Sequence, residues 1–165
     1  MNGADLSRAN LLNLGSAAAM EAAFRAGQGD YVHLQSGIPQ QMELEGVGKI
    51  VAYVGQGLTP LAFSSLAAPR AFAESDLLQP FLRAFAKAKA WARATPPLEV
   101  AQTLAPLFPA LRIEALTAAI AACQKLGCWN GDAAIPHADY QEAEKAFLWA
   151  SAIQRAHAYE EVCHA

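Results

Sequence analysis

The sequence predicts an α/β protein, with a small parallel sheet of about three strands flanked by helices and an all-helical region behind it. Three observations predict this. The first third of the chain alternates short apolar runs with segments of helical period, the pattern that builds a parallel sheet. Two of those runs, Tyr31-Val32-His33-Leu34 and Ile50-Val51-Ala52-Tyr53-Val54, are almost continuously apolar, as strands covered on both faces are. Everything after Pro69 carries the helical period instead.

Leu11–Leu14 reads as the first strand, and Gly15-Ser16 as a turn plus helix N-cap. The helix Ser16–Ala26 places Ala19, Met20, Ala23 and Phe24 on one face and stops at Gly27. Tyr31–Gln35 is the second strand, Pro39–Leu44 a helix and Ile50–Val54 the third strand. Glycine turns, Ser36-Gly37 and Gly55-Gln56-Gly57, follow the last two strands. Leu61–Leu66 is an extended connection leading away from the sheet, and Ala67-Ala68-Pro69 closes the region because no helix begins just before a proline.

Asp76 is expected to cap the next helix, whose apolar positions Leu77, Leu78, Phe81, Leu82, Phe85 and Trp91 repeat at the helical spacing while Arg83, Lys87 and Arg93 face out. Pro80 falls in the first turn, where its missing N–H costs nothing. Thr95-Pro96-Pro97 ends that helix and starts a short one through Ala105. Ile113, Leu116, Ile120, Cys123 and Leu126 mark another, stopped by Gly127. After a Cys128–Pro136 loop a last long helix begins at His137 or Asp139, with Tyr140, Ala143, Phe147, Ala150 and Ile153 inward. The expected regions are 1–68, α/β, and 69–165, helical.

A chain of 165 residues is one domain by length and can bury a proper core. Alanine is the commonest residue, so the 54% hydrophobic fraction reflects helix propensity more than apolar bulk. A net charge of −3 provides no basic footprint for nucleic acid. Cys123, Cys128 and Cys163 form neither an even disulfide framework nor a CxxC pair, although a Cys123 to Cys128 bridge is open to an oxidising compartment. The start MNGADLSRANLL lacks a basic segment followed by an apolar run, and no stretch reaches the ~18 apolar residues of a membrane span. Taken literally, the chain is expected to be soluble and intracellular.

Candidate ligand-binding groups stand where a parallel sheet would present its carboxyl edge. Gly15 and Ser16, at a helix start, either receive an oxygen-rich group or simply cap the helix. Gln35, Ser36 and Gly37 after the second strand offer donors and acceptors that suit a neutral or zwitterionic ligand, or else form a solvated turn, and Gly55 and Gln56 occupy the equivalent place after the third. His33, inside an apolar run, reads as a satisfied core or lobe-facing residue before a base. His137, His157 and His164 have no metal-ligand spacing, and no GxSxG, HExxH or Walker loop occurs, so no catalytic residue, metal or cofactor is assigned. Arg25 is expected on the solvent face, Glu43 with Glu45 and Glu160 with Glu161 as surface carboxylates, and Trp91, Trp129 and Trp149 as packing residues.

Three segments, NLGSAAAMEAAFRAGQGDYV, FLRAFAKAKAWARATPPLEVAQTLAPLFP and AHAYEEVC, resemble in their order the substrate-binding proteins of ABC transporters for nitrate, sulfonate, taurine and thiamine precursors, the SsuA/THI5-like class. The resemblance runs from about Leu11 to Cys163 and matches that family's second lobe and C-terminal helices. It implies a periplasmic-binding-protein-like (type II) lobe, a small organic solute held by hinge closure, ABC permease and ATPase subunits as partners, and a periplasmic location. It also implies that a first lobe stands upstream, which would account for so few strands beside so many helices. Two other readings stay open: a free-standing α/β domain that self-associates as a homodimer through the face the first lobe would cover, and a relative of the THI5-like pyrimidine synthases. The latter chemistry uses an active-site histidine and iron-binding cysteines, a cluster this chain does not show.

Overall fold

A computed structural model of the chain describes residues 6–62 and 64–163; Phe63 of the expected connection, His164 and the first five residues of the 1–68 region lie outside it. Eight α-helices follow one another among the described residues: α1 (Ala17–Arg25), α2 (Ile38–Leu44), α3 (Arg70–Ala73), α4 (Leu78–Ala94), α5 (Pro97–Leu104), α6 (Ile113–Leu126), α7 (His137–Trp149) and α8 (Tyr159–Val162). No strand occurs among them. The expected parallel sheet is therefore overturned.

The reason is visible at two of the three apolar runs. A strand exists only through the backbone ladder it shares with a neighbour, and here nearby groups take the available bonds. The Asn13 side chain accepts the Gly15 N–H at 3.2 Å, the Glu43 carboxylate accepts the Ile50 N–H at 3.1 Å, and Val54–Gly57 coils into a turn of 3₁₀ helix. Leu11–Leu14, Tyr31–Gln35 and Ile50–Val54 are thus irregular segments, and Leu11, Tyr31 and Val51 are 72%, 82% and 75% exposed rather than covered on both faces. An apolar run shows that a segment wants cover; it does not show what supplies it.

The helices form largely where the residue pattern places them. Ser16 caps α1, its hydroxyl oxygen accepting the Ala19 N–H at 3.2 Å. Asp76 does not cap α4: the helix begins at Leu78, and the Ser75 hydroxyl oxygen accepts the Leu77 N–H at 3.3 Å instead. The last long helix stops at Trp149, so Ala150 and Ile153 lie beyond it; Ala143 is buried as expected, but Phe147 is half exposed. The short helices α3 and α8 carry no periodic signal of their own.

The core sits on α5 and α6. Val100 and Ala101 of α5 pack against Leu116 and Ile120 of α6, with Leu104, Leu111, Ile113 and Trp129 around them. Ala115, Leu116, Ala119 and Ile120 make the continuous buried stripe of α6, a spacing that keeps one side of a helix inward. Gln124 on α6 donates to the carbonyl oxygens of Ala92 at 2.7 Å and Thr95 at 2.8 Å, supplying partners to the unsatisfied C-terminal turn of α4. Helix α2, from the 1–68 region, packs on α6 from the 69–165 region, and the Gln41 side chain accepts the Arg112 N–H at 3.0 Å. Arg25 is exposed yet engaged, joining α1 to α2 through Glu21 at 2.7 Å and Glu45 at 2.6 Å. The tail folds back on α7, where the Tyr140 hydroxyl donates to His157 O at 3.0 Å and the Tyr159 hydroxyl to Ile135 O at 2.6 Å.

This core is small for the chain. The accessible surface is 12149 Å² for a mass of 17.5 kDa, against about 7,900 Å² for a folded monomer of that size. Much apolar surface faces outward, including Trp149 at 68% and Leu107 at 72% exposure. No helix among the described residues is long and apolar enough to cross a membrane.

Candidate functional site

Helix α6 shows its buried stripe to α5 and α2, which leaves Ala118, Ala121 and Lys125 on the opposite side. Small side chains there leave room, and the chain passes over them. The 3₁₀ turn at Val54–Gly57, closed by the Gln56 N–H donating to Tyr53 O at 3.0 Å, sits against this face. Between turn and helix lies a cleft of about 230 Å³, with Tyr53 and Gln56 on one wall, Ala118, Ala121 and Ala122 as its floor, and Lys125 and Leu126 at the end. Its chemistry comes from a phenol, a carboxamide and an ammonium group over an aliphatic base.

A wider hollow of about 510 Å³ lies on the other side of Ala118 and Ala121, lined by Pro96, Leu98, Ile113, Glu114 and Thr117. The two hollows differ in charge. Glu114 titrates below the usual carboxylate range, held there first by its own backbone N–H and then by the neighbouring Arg112, so the wider hollow carries a carboxylate at neutral pH. The smaller one carries Lys125, which makes no ion pair among the described residues. An anion is therefore favoured in the smaller cleft and opposed in the wider hollow.

Without a sheet there is no common carboxyl edge, and the candidate residues separate. Gly15 occupies an Asn13-closed turn, and Ser16 is an exposed cap whose hydroxyl oxygen already accepts a backbone N–H, so the helix-capping alternative describes it. Neither lines the cleft. Gln35 is exposed. Gly37 is buried, its N–H donates to Gln40 Oε1 at 2.7 Å, and Leu111 lies over its α-carbon, which leaves no room for a ligand. Gly55 belongs to the 3₁₀ turn, and Gln56 alone of the seven residues enters the cleft.

Ser36 lies in the turn before α2, beside the Cys123 sulfur near the C-terminal end of α6. Cys123 is half-buried, and its thiol is pushed up to about 11, by burial first and then by the neighbouring Cys128. Cys128 is exposed, whereas Cys163 sits in the tail near Tyr140. Tyr140 in turn is raised above the ordinary phenol range by burial, then by Glu144. Among the described residues no group of histidine, cysteine and acidic side chains is placed to hold a metal ion.

Two of the cleft's polar residues were not among the sequence candidates. Lys125 is the last-turn cation of an amphipathic helix, where a lysine needs no ligand to account for it. Tyr53 belonged to an almost continuous apolar run that predicted a strand. Comparison with protein-family models, with curated proteins and with solved structures finds no match to the chain.

Proposed function

We propose that the chain is the solute-holding, C-terminal part of a substrate-binding component of an ABC-type importer. On this reading it is a non-catalytic protein of the periplasm that takes a small organic solute and works with permease and ATPase subunits. The resemblance of three segments in their order along the chain suggests it, and one structural observation carries it: the cleft that brings Tyr53, Gln56 and Lys125 over the alanine face of α6. The volume of about 230 Å³ is below the ~300 Å³ where drug-sized pockets begin, which suits a compact solute. The single ammonium group suits a sulfonate or carboxylate better than a neutral pyrimidine.

Calorimetric titration with an alkanesulfonate, benzoate and an aminopyrimidine tests this. One of the two anions should bind, and Lys125→Gln should weaken it at least tenfold, since a hydrogen bond to a charged group contributes about 1.5–3 kcal/mol. Absence of binding by all three at millimolar concentration, or an affinity indifferent to Lys125→Gln, would sink the proposal.

A second reading has its own support. The 12149 Å² of exposed surface and the outward apolar side chains favour a chain that associates with a second copy of itself. Light scattering over a range of concentrations separates the readings: a monomer throughout rules out self-association and leaves the solute cleft untouched.

A further inference from the structure

Helix α6 ends in a tight reversal that brings residues 123 and 128 together. Gly127 adopts φ 71° and ψ 24°, the left-handed conformation that a residue with a β-carbon resists. The Gly127 N–H donates to Gln124 O at 3.1 Å, and the Cys128 N–H donates to Cys123 O at 3.0 Å. This pair of bonds is the Schellman closure, in which the residue after the glycine folds against the helix residue five positions earlier and their side chains meet. In most helices that contact is between apolar groups. Here both partners are cysteines, so the closure sets the Cys128 side chain beside that of Cys123. A β-carbon on Gly127 would come within 2.6 Å of the Asn130 amide, so the turn has little freedom to open by substitution at that point.

We propose that Cys123 and Cys128 form a reversible intramolecular disulfide that locks the C-terminal end of α6. A low-molecular-weight disulfide such as oxidised glutathione is the oxidant. The exposed Cys128, as thiolate, attacks one sulfur of that disulfide, and one glutathione leaves as its thiolate. Cys123 then gives its proton to solvent and attacks Cys128 Sγ, breaking the mixed disulfide and releasing the second glutathione. Two protons and two electrons leave the protein, and one disulfide is exchanged for another. The order follows from accessibility: Cys128 faces solvent while Cys123 is half-buried and, with its raised thiol, is a poor first nucleophile. The consequence reaches the turn before α2. Ser36 borders the Cys123 sulfur, so the bridge fixes that sulfur beside a residue two positions before Ile38 and removes the S–H from their contact.

The test uses the unmodified chain. After incubation with oxidised glutathione at neutral pH, denaturation and alkylation, two of the three thiols should be lost to the alkylating reagent and the mass should fall by two hydrogens. Trypsin cleaves after Lys125, between the two cysteines, so the bridge should appear as peptide 113–125 joined to peptide 126–145. Dithiothreitol should separate them, and Cys163→Ser should leave the crosslink in place. Three alkylatable thiols, a glutathione adduct that persists on Cys128, or a bridge to Cys163 would each overturn the proposal.

Discussion

Val100→Ala is the sharpest probe of whether α5 and α6 form the cooperative core. Val100 is 0% exposed and is the largest side chain to be fully enclosed among the described residues. Removing two carbons costs about 1.6 kcal/mol in lost transfer free energy at ~0.8 kcal/mol per methylene. A void of about 50 Å³ that the neighbours fail to fill adds about 1.2 kcal/mol at ~24 cal/mol per Å³. The expected loss is therefore about 1.6–2.8 kcal/mol, the lower figure applying if Leu116 and Ile120 close in. In urea, with a slope of about 2 kcal/mol per molar, the midpoint should fall by ~1 M. The signal is far-UV circular dichroism. Leu98→Ala on the same helix, where the side chain is 50% exposed, serves as the control and should change stability by ~0.5 kcal/mol or less. Equal midpoints for the two variants would refute the placement of the core between these helices.

Two further outcomes follow from the same geometry. Gly37→Ala should destabilise by about 1–3 kcal/mol, because φ is 102° and the new β-carbon would stand 2.8 Å from Leu111 Cδ1, itself packed on the core; a variant as stable as the parent in urea would remove this account of the turn. The Glu45 carboxyl is held below its ordinary range by the Gln41 amide first and Arg25 second. A depressed folded-state value contributes stability that is present above the unfolded value, about 4.3, and is lost as pH falls through the folded one. Glu45→Gln should flatten that acid limb of the urea midpoint against pH, and identical limbs in the two proteins would show that the Glu45 link carries none of it.

The helices were legible because their signals are local. Ser16, Gly27, Pro97 and Gly127 act within a turn of themselves, and the core stripe of α6 is written in its own spacing. The sheet was not legible because a strand is a relation between segments. Tyr31–Gln35 and Ile50–Val54 carry the composition of buried strands, yet composition names no partner, and these segments find none among the described residues. The start of α4 shows the same limit on a smaller scale: Asp76 is a good cap by type, yet Leu77 stands at the N-cap with no side-chain bond, and the Ser75 hydroxyl, which donates to Phe72 O at 2.8 Å, accepts the Leu77 N–H. At the cleft the sequence offered Gln56 for the wrong reason, as a group at a sheet edge. Its place over α6 is decided by the 3₁₀ turn, which has no periodic signature.

The surface and the core state one fact from opposite sides. A chain whose apolar runs are not paired must either bury them in its own core or present them outward, and the α5–α6 core has no space for them. Val100 and Ala101 are already sealed at 0% exposure, while Leu11, Tyr31 and Val51 stand mostly in solvent. The apolar character that predicted a sheet thus reappears as exposed area, and it accounts for part of the excess over the ~7,900 Å² of an ordinary monomer. Such area raises free energy in water at about 25 cal/mol per Å², so any structure that covers it gains in proportion. That gain is separable from solute binding, because Tyr53, Gln56 and Lys125 meet over α6 while Leu11, Tyr31 and Val51 take no part in lining the cleft. Mutating Val51 or Tyr31 to serine should therefore change association without moving solute affinity, and Lys125→Gln should do the reverse.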